Sequence, residues 1–308
     1  MVADVGGIGD RSFNDGAYAG LVAAHNRLHV NIDALQSRAA ADYQSNLTAL
    51  ANEGYDEIIA IGFLMQRDLR EVAERYPNRH FAILDTEVSA PNVASISFRE
   101  EQGSFLAGAL AAMVSRSKTI AFLGGVDFPL LRKFEAGYAA GAREVDPKVT
   151  VLVKYIGSFE DVAAGKELTN VLFSQGADIV FVAAGRSGLG AIDAVRHRSN
   201  EYVIGVDSDQ DALAPGRILT SMVKRIDVAV FRLAAATVAG KPPRGNIVLG
   251  LRENAVGLTP FTYTKNVITP DRIRRIERLR NDVIAGRIVP PATREALATF
   301  RPSTTGSR

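Results

Sequence analysis

The amino-acid sequence predicts an α/β protein with doubly wound parallel sheets, and three observations lead to this prediction. Short, nearly all-apolar runs that end in Gly, Asp or Ser recur along the chain. Such runs are typical of strands that helices cover on both faces of a parallel sheet. Helical patterns separate most of these runs, and the length of 308 residues favours two domains over one large core. Periodicity alone fits either two consecutive sheets or a single barrel.

The amino-terminal part of the chain contains a glycine-rich loop and the first predicted elements. The loop, Asp4–Asp15, holds three glycines and three carboxylates just before a helical pattern. Helices are predicted at Asn46–Gly54, which ends in glycine, and at Leu69–Tyr76, which stops before Pro77. The apolar runs beside them predict three strands: Ile58–Gly62, Phe81–Leu84 and Val93–Ile96. A break near Phe98–Gly103 indicates a crossing between two lobes.

The middle of the chain continues the alternation of strands and helices. Four apolar runs predict strands at Thr119–Leu123, Val149–Val153, Ile179–Val182 and Tyr202–Val206. Five helical patterns predict helices at Glu100–Val114, Leu131–Glu144, Asp161–Ser174, Leu189–His197 and Val228–Ala239. The strands are short and the helices longer, as expected for βα units.

The pattern changes from about Leu258, where prolines bracket one basic helix, Asp271–Ala285. Its apolar residues recur at helical spacing, and its arginines fall mostly on the remaining, solvated face. The stripe consists of Ile273, Ile276, Leu279 and Val283. We therefore predict a terminal arm and no nucleic-acid site. The tail, Arg301–Arg308, is predicted to be disordered.

Composition excludes several classes of partner. The net charge of +2 balances 36 basic against 34 acidic residues, so no strong field favours a polyanion. The chain has no cysteine, which excludes disulfides and thiolate metal sites. The glycine loop follows almost directly on Met1, although a strand of about five residues should anchor it. We expect a signal segment, with a lipid-anchor cysteine as the one link to a membrane, to precede this chain.

Sequence motifs of the familiar enzymes are missing. The sequence has no phosphate loop, no Gly-x-Ser-x-Gly elbow and no His-Glu-x-x-His zinc helix. The glycine turns at Gly7–Ser12 and Gly185–Gly190 do not match the dinucleotide fingerprint. We therefore predict no catalytic residue, no metal and no cofactor. A nucleoside hydrolase with Asp4, Asp10 and Asp15 around a metal stays open as an alternative.

Polar residues at the ends of predicted strands indicate a ligand site, because open α/β sheets bind ligands at the carboxyl ends of their strands. Asp4, Asp85 and Asp207 fall there, together with Phe63 and Gly185. One carboxylate that accepts two hydroxyl protons suits the vicinal diol of a ribose. A role for Asp207 as a helix cap stays open beside this one.

One lysine and two aromatic residues extend the predicted site. Lys224 lies in a strand-like run, where an ammonium needs a partner, and Asp207 together with a ligand hydroxyl would provide one. Phe13 and Phe181 are the aromatic residues nearest the glycine turns, so they are candidates to stack on a planar ring. For Phe181, plain core packing fits the sequence equally well.

The motifs of this chain resemble those of the basic membrane protein family, the purine nucleoside receptor type of ABC-transporter substrate-binding protein. They occur in family order and cover Asp4 to about Pro290. The matching segments are Asp4–Asn14, Glu100–Gly108, Gly124–Pro129, Ala177–Gly185, Gly205–Gln210 and Leu219–Lys224.

This resemblance implies the type I periplasmic-binding-protein fold, in which two doubly wound lobes are joined by a three-crossing hinge and close over a ligand. The implied lobes are residues 1–98 with about 226–243, and residues 99–225 with about 244–258, followed by an arm over residues 259–308. The resemblance also implies roles for stacking aromatics, a base-reading asparagine and ribose-binding groups. The predicted ligand-binding residues are Asp4, Phe13, Asn14, Phe63, Asp85, Phe181, Gly185, Asp207 and Lys224.

The resemblance further implies the ligand and the partners. They are a purine nucleoside, namely adenosine, guanosine or inosine, and an ABC permease, with the protein a monomer at the periplasmic or outer face of the cytoplasmic membrane. Three positions depart from the family pattern: Gly9, Asp15 and Arg186. A guanidinium at position 186 would favour a more polar or anionic ligand. Another ligand such as a flavin, and a cytoplasmic sensor on the same fold, stay open as alternatives.

Overall fold

The computed structural model describes residues 1–303, so most of the predicted disordered tail, residues 304–308, lies outside the described residues. The chain up to the first crossing alternates short strands and helices. Its elements are β1 (Val2–Ala3), α1 (Phe13–Leu28), β2 (Leu35–Gln36), α2 (Tyr43–Glu53), β3 (Glu57–Ala60), α3 (Gln66–Arg75), β4 (His80–Leu84) and β5 (Val93–Phe98).

The next part of the chain repeats this plan. Its elements are α4 (Glu100–Val114), β6 (Thr119–Gly124), α5 (Pro129–Val145), β7 (Thr150–Tyr155), α6 (Val162–Ser174), β8 (Ile179–Ala183), α7 (Gly188–Val195), β9 (Tyr202–Asp207) and β10 (Ile218–Lys224). The last part comprises α8 (Ile226–Val238), β11 (Gly245–Leu249), β12 (Val256–Leu258), α9 (Pro270–Ile284) and α10 (Arg294–Thr299). All seven predicted strands are present to within two residues at each end.

The described chain forms two compact units. One consists of Met1–Phe98 and Arg225–Leu249, and the other of Arg99–Lys224 and the described residues from Gly250 onward. The chain therefore passes between the units three times. Strand β11 departs from the predicted lobe boundaries: it was expected in the second lobe, but it pairs in parallel with β5 of the first unit, Gly245 opposite Ala94. Its five residues carry no sign of which sheet they join, because either edge could accept them.

The first unit contains a six-stranded sheet in the order β11-β5-β4-β3-β1-β2. Apolar residues of its strands pack against α2 and α3 in one buried cluster that includes Leu47, Ile58, Leu69 and Phe81. Two other helices of this unit, α1 and α8, approach each other closely at Gly20. A Cβ added at Gly20 would lie 2.3 Å from the Asp227 carbonyl oxygen. Glycine at this position allows the two helices to touch.

The second unit contains a six-stranded sheet in the order β12-β10-β9-β8-β6-β7, parallel except for the edge pair of β10 and β12. One core cluster lies under α6 and α7 and includes Leu123, Leu172, Val182 and Ile192. Helices α4 and α5 pack so closely that a Cβ at Gly141 would lie 1.8 Å from the Phe105 carbonyl oxygen.

The carboxyl-terminal arm belongs to the second unit. Helix α9 contacts α4, and α10 contacts α5. Three residues of the predicted stripe on α9 are buried, Ile276, Leu279 and Val283, and the fourth, Ile273, is half-buried. Helix α10 was not predicted, because its six residues are too few to show a helical period, although Thr293 caps it by accepting a hydrogen bond from Ala296 N. None of the helices in residues 1–303 combines the length and the apolar character needed to cross a bilayer.

Candidate ligand-binding site

The predicted site residues of the first unit follow the carboxyl ends of neighbouring strands. Asp4 follows β1, Phe63 lies just beyond β3, and Asp85 follows β4. Strands β1, β3 and β4 are adjacent and parallel, so their carboxyl ends share one edge of the sheet. We call Asp4, Phe13, Asn14, Phe63 and Asp85 the first cluster.

Asp4 and Phe13 come together beside a glycine. Asp4 is 7% exposed, and its Oδ1 accepts hydrogen bonds from the Tyr43 hydroxyl and from Val5 N at 2.6 Å. Gly62 has a φ of 119°, and an added Cβ there would lie 2.6 Å from Asp4 Oδ2 and 3.5 Å from the Phe13 ring. Only glycine at this position leaves room for the carboxylate and the ring side by side.

Asn14 and Asp10 organise the glycine loop from inside. Asn14 is 3% exposed; its Oδ1 accepts from Asp4 N at 2.9 Å, and its Nδ2 donates to Asp10 Oδ2 at 3.0 Å. Asp10 also accepts from the backbone N–H groups of Ser12, Asn14 and Asp15. Burial raises the pKa of Asp10, and these hydrogen bonds oppose the rise. Reading of a base edge by Asn14 stays a prediction.

The carboxylates of Asp10 and Asp15 in this loop accept hydrogen bonds from backbone N–H groups. Asp15 accepts from Gly9 N at 2.6 Å and from Arg11 N at 3.0 Å, and Asp10 caps the start of α1. Within residues 1–303, no group of three histidine or carboxylate side chains is arranged to hold a metal ion. Asp10 and Asp15 therefore stabilise the loop and the start of α1.

Asp85 and Asp207 occupy equivalent positions in the two sheets. Strands β4 and β9 are each third in their sheet order, and each leads into an aspartate with left-handed backbone, φ 69° at Asp85 and φ 64° at Asp207. Aspartate and asparagine adopt this conformation more readily than other residues that carry a side chain. Both side chains are half-buried. The two sheets thus present an aspartate in the same backbone conformation at the same place in their strand order.

Lys224 ends β10 next to the end of β9, because Asp207 is in register with Val223. Its side chain is 1% exposed, and Nζ lies 3.2 Å from Glu100 Oε1 and 5.7 Å from the centre of the Phe134 ring. Glu100 is fully buried, and its Oε2 lies 3.4 Å from Lys133 Nζ. Sequence reasoning missed Glu100, although a carboxylate at the first residue of α4 was a visible signal for a partner of the strand lysine.

The structure does not support the predicted stacking role of Phe181. This residue is 0% exposed and lies in the middle of β8, where its ring centre is 5.7 Å from that of Phe122 and 5.3 Å from that of Tyr138. A ring enclosed in this way has no face to offer a ligand. The core-packing interpretation is therefore the right one, and proximity to a glycine turn in sequence was a poor guide to side-chain direction.

Phe159 lies where Phe181 was expected. It is half-buried in the loop between β7 and α6, and its ring lies against Gly125, where an added Cβ would come within 2.3 Å of ring carbon Cε1. Gly185 has a φ of 53°, and a Cβ added there would lie 3.6 Å from Phe159 Cβ. We call Phe159, Gly185, Asp207 and Lys224 the second cluster. The segment Gly157–Asp161 directly after a strand was the signal that sequence reasoning overlooked.

Arg186 follows Gly185 in a single turn of 3₁₀ helix and is exposed. The equivalent turn after β3 begins at Phe63, so Leu64 stands where the second unit has Arg186. The second unit therefore carries an additional cationic side chain at the carboxyl edge of its sheet.

Comparison with known proteins identifies the family. The family model Bmp, described as ABC transporter substrate-binding protein PnrA-like, matches residues 1–294. The chain belongs to the Bmp family. It is accordingly a substrate-binding protein of ABC transporters, as the sequence motifs indicated.

Individual relatives are similar to almost the whole chain. The CD4+ T-cell-stimulating antigen of Listeria innocua is 34% identical, over 94% of this chain and 87% of its own. The ABC transporter nucleoside-binding protein BmpA of Lactococcus lactis is 32% identical, over 95% and 88%. A solved ABC transporter solute-binding protein from Aeropyrum pernix superposes with a TM-score of 0.88 at 30% identity, over 97% and 94%. This similarity confirms the type I periplasmic-binding-protein fold.

Proposed function

We propose that this Bmp-family protein captures a purine nucleoside, namely adenosine, guanosine or inosine, outside the cytoplasm and delivers it to an ABC permease. The family assignment supports the transport role, and a relative at 32% identity is named as nucleoside-binding. No catalytic step is part of the proposal. Capture requires that the ligand bind one conformational state of the protein more tightly than the other, because only this difference in affinity shifts the equilibrium between them.

The observation that carries the proposal is the arrangement of Asp207 and Lys224. The two residues end neighbouring strands, and Asp207 holds a left-handed backbone. A carboxylate accepts both hydroxyl protons of a vicinal diol, and an ammonium donates to a hydroxyl or ring oxygen. Glu100 holds Lys224 Nζ at 3.2 Å, which keeps the ammonium in one place. These groups suit a ribose.

The aromatic residues and Asp4 suit a purine base. Phe13 presents a half-buried ring beside Asp4 Oδ2, and Phe159 presents a half-buried ring beside Gly185. We propose that Phe13 of the first cluster stacks on the base and that Asp4 and Asn14 read its edge, with Phe63 and Asp85 completing that cluster. In the second cluster, Phe159 offers a stacking face of its own. Stacking of an aromatic side chain on a base contributes about 1 to 3 kcal/mol.

Isothermal titration with a matched ligand series tests the proposal. The series comprises adenosine, guanosine and inosine, the 2′-deoxy form of each, and free adenine, added to protein refolded from denaturant so that any retained ligand is removed. We expect saturable binding of at least one ribonucleoside and a loss of at least tenfold in affinity for its 2′-deoxy form. Absence of heat with all three ribonucleosides would reject the ligand assignment.

A flavin or another more polar ligand is the second candidate, favoured by the exposed guanidinium of Arg186. Riboflavin, flavin mononucleotide and adenosine monophosphate in the same titration separate the candidates. If the site prefers an anionic ligand, Arg186→Gly should lower the affinity for that ligand at least tenfold and leave the affinity for adenosine unchanged.

A further inference from the structure

The first unit contains a cavity at the amino-terminal ends of its strands, whereas the first cluster follows their carboxyl ends. Its volume is about 770 Å³, and it lies where β3 begins at Glu57 and β4 begins at His80. Helices α1 and α8 form its walls through Leu21, Ala234 and Thr237. The residues of the proposed nucleoside site follow the carboxyl ends of the strands, so this cavity shares no residue with them.

Two buried polar atoms at this cavity lack hydrogen-bond partners. Glu57 and His80 are paired in register on adjacent strands, and both line the cavity. Within the described residues, neither Glu57 Oε1 nor His80 Nδ1 has a hydrogen-bond partner, whereas Glu57 Oε2 accepts from the Thr237 hydroxyl at 2.8 Å. A buried carboxylate oxygen without a donor is costly, so a ligand that supplies a donor there would be stabilised.

The charges around the cavity select the kind of donor. Glu53, Asp56 and Glu57 line it, and in the described part of the chain no lysine or arginine does. The remaining walls are largely apolar and include Leu21, Ile59 and Val238. A cationic head with N–H donors matches the polar end, and an apolar body matches the walls.

We propose that this cavity is a binding site for a small primary amine with an apolar body. Glu57 Oε1 and His80 Nδ1 are both closed to solvent in the unliganded protein, so the two side chains turn toward the cavity when the amine binds. The ammonium then donates to Glu57 Oε1 and, in the tautomer protonated on Nε2, to His80 Nδ1. The apolar body packs against Leu21, Ile59 and Ala234. The site is separate from nucleoside capture and stands whether or not that function is confirmed.

The probe is 2-phenylethylamine, compared with the neutral 2-phenylethanol and the anionic 3-phenylpropionate. Two-dimensional amide NMR follows the signals of Gly54, His80 and Thr237 during titration. We expect saturable shifts of these signals with the amine and at least tenfold weaker binding of the alcohol. The acid should not bind. Equal affinity for amine and alcohol, or no shift at these residues with the amine, would overturn the proposal.

Two variants and two controls locate the binding. Glu57→Gln removes the charge at constant shape, and Ala234→Leu fills the cavity without changing charge. Each variant should bind the amine at least tenfold more weakly than the wild type. Two control variants should leave the affinity for the amine unchanged. They are Glu74→Gln, on the exposed side of α3, and Asp207→Ala, in the second unit. Amide spectra of every variant without ligand verify folding. Unchanged affinity in a folded Glu57→Gln or Ala234→Leu protein would contradict the assignment.

The pH dependence supplies an independent readout. Burial raises the pKa of Glu57 to about 7, with the Thr237 hydrogen bond opposing the rise. The titratable groups that line the cavity beside it are Glu53, Tyr55, Asp56 and His80, and the guanidinium of Arg79 lies next to Gly54. The ammonium binds the ionised carboxylate of Glu57, so affinity should rise roughly tenfold between pH 6 and pH 8. Affinity that falls or stays constant over this range would contradict the role of Glu57.

Discussion

At the scale of single residues, the structure separates side chains that can meet a ligand from those that cannot. Asp207 and Phe159 are half-buried at the carboxyl edge of the second sheet, whereas Phe181 is enclosed in the core. Direction of the side chain, and not sequence distance from a glycine turn, decides which residues are available.

Replacing Asp207 by alanine should weaken ribonucleoside binding by about 2 to 4 kcal/mol, because it deletes a charge-assisted acceptor for the ribose hydroxyls. The matched control is Asp209→Ala, an exposed aspartate two residues away, which should change affinity by less than about 0.5 kcal/mol. Titration calorimetry measures both. A loss well under 1 kcal/mol for Asp207→Ala would remove this residue from the site.

Phe159 and Phe181 should respond differently to truncation. Phe159→Ala should weaken nucleoside binding by about 1 to 3 kcal/mol and change stability little, because it removes a stacking face from a half-buried loop. Phe181→Ala should lower the free energy of unfolding by about 3 to 5 kcal/mol, because it leaves a cavity in the core. Denaturant titrations and calorimetry on both variants check the pair. Reversed effects would show that the roles are exchanged.

At the scale of elements, close helix packing and one buried carboxyl group determine local stability. Helices α4 and α5 meet at Gly108, Gly137 and Gly141 with no room for a side chain. Strand β3 begins with Glu57, whose burial raises its pKa to about 7. Both features concern stability and can be tested without a ligand.

Gly141→Ala should destabilise the protein by about 1 to 3 kcal/mol or more, because the added Cβ would lie 1.8 Å from a backbone oxygen and the helices must separate. The control is Gly257→Ala on β12, where nothing lies within 4 Å of an added Cβ. Urea unfolding compares the two variants. Equal stability of both would show that the α4–α5 contact is looser than described.

Glu57 should make the protein less stable as the pH rises. Its ordinary pKa of 4.5 applies in the unfolded chain, and burial raises the folded-state pKa to about 7. Between these values the folded state binds a proton that the unfolded state does not, so the free energy of unfolding falls by up to about 3 kcal/mol. Glu57→Gln should therefore be more stable than the wild type at pH 8 and equal to it near pH 4.5. A difference independent of pH would contradict this account.

At the scale of the whole molecule, most of the fold could be predicted from sequence, because apolar runs such as Ile179–Val182 report burial on both faces directly. The edge strand β11 could not be assigned, since its residues are largely exposed and either sheet could accept them. Asp85 and Asp207 lie at strand ends as the sequence predicted, and their role in ligand binding stays a prediction. Phe159 and Glu100 were missed because their roles depend on contacts with Gly125 and Lys224 that are distant in sequence.

Competitive capture tests the central claim, nucleoside binding, most directly. Refolded protein is incubated with an equimolar mixture of ribonucleosides, 2′-deoxynucleosides, free bases, riboflavin and adenosine monophosphate, separated from free ligand, denatured, and the released compounds are identified by mass spectrometry. We predict that a purine ribonucleoside is retained in preference to all others and that Asp207→Ala retains none. Retention of a flavin or nucleotide instead, or of no compound, would contradict the account.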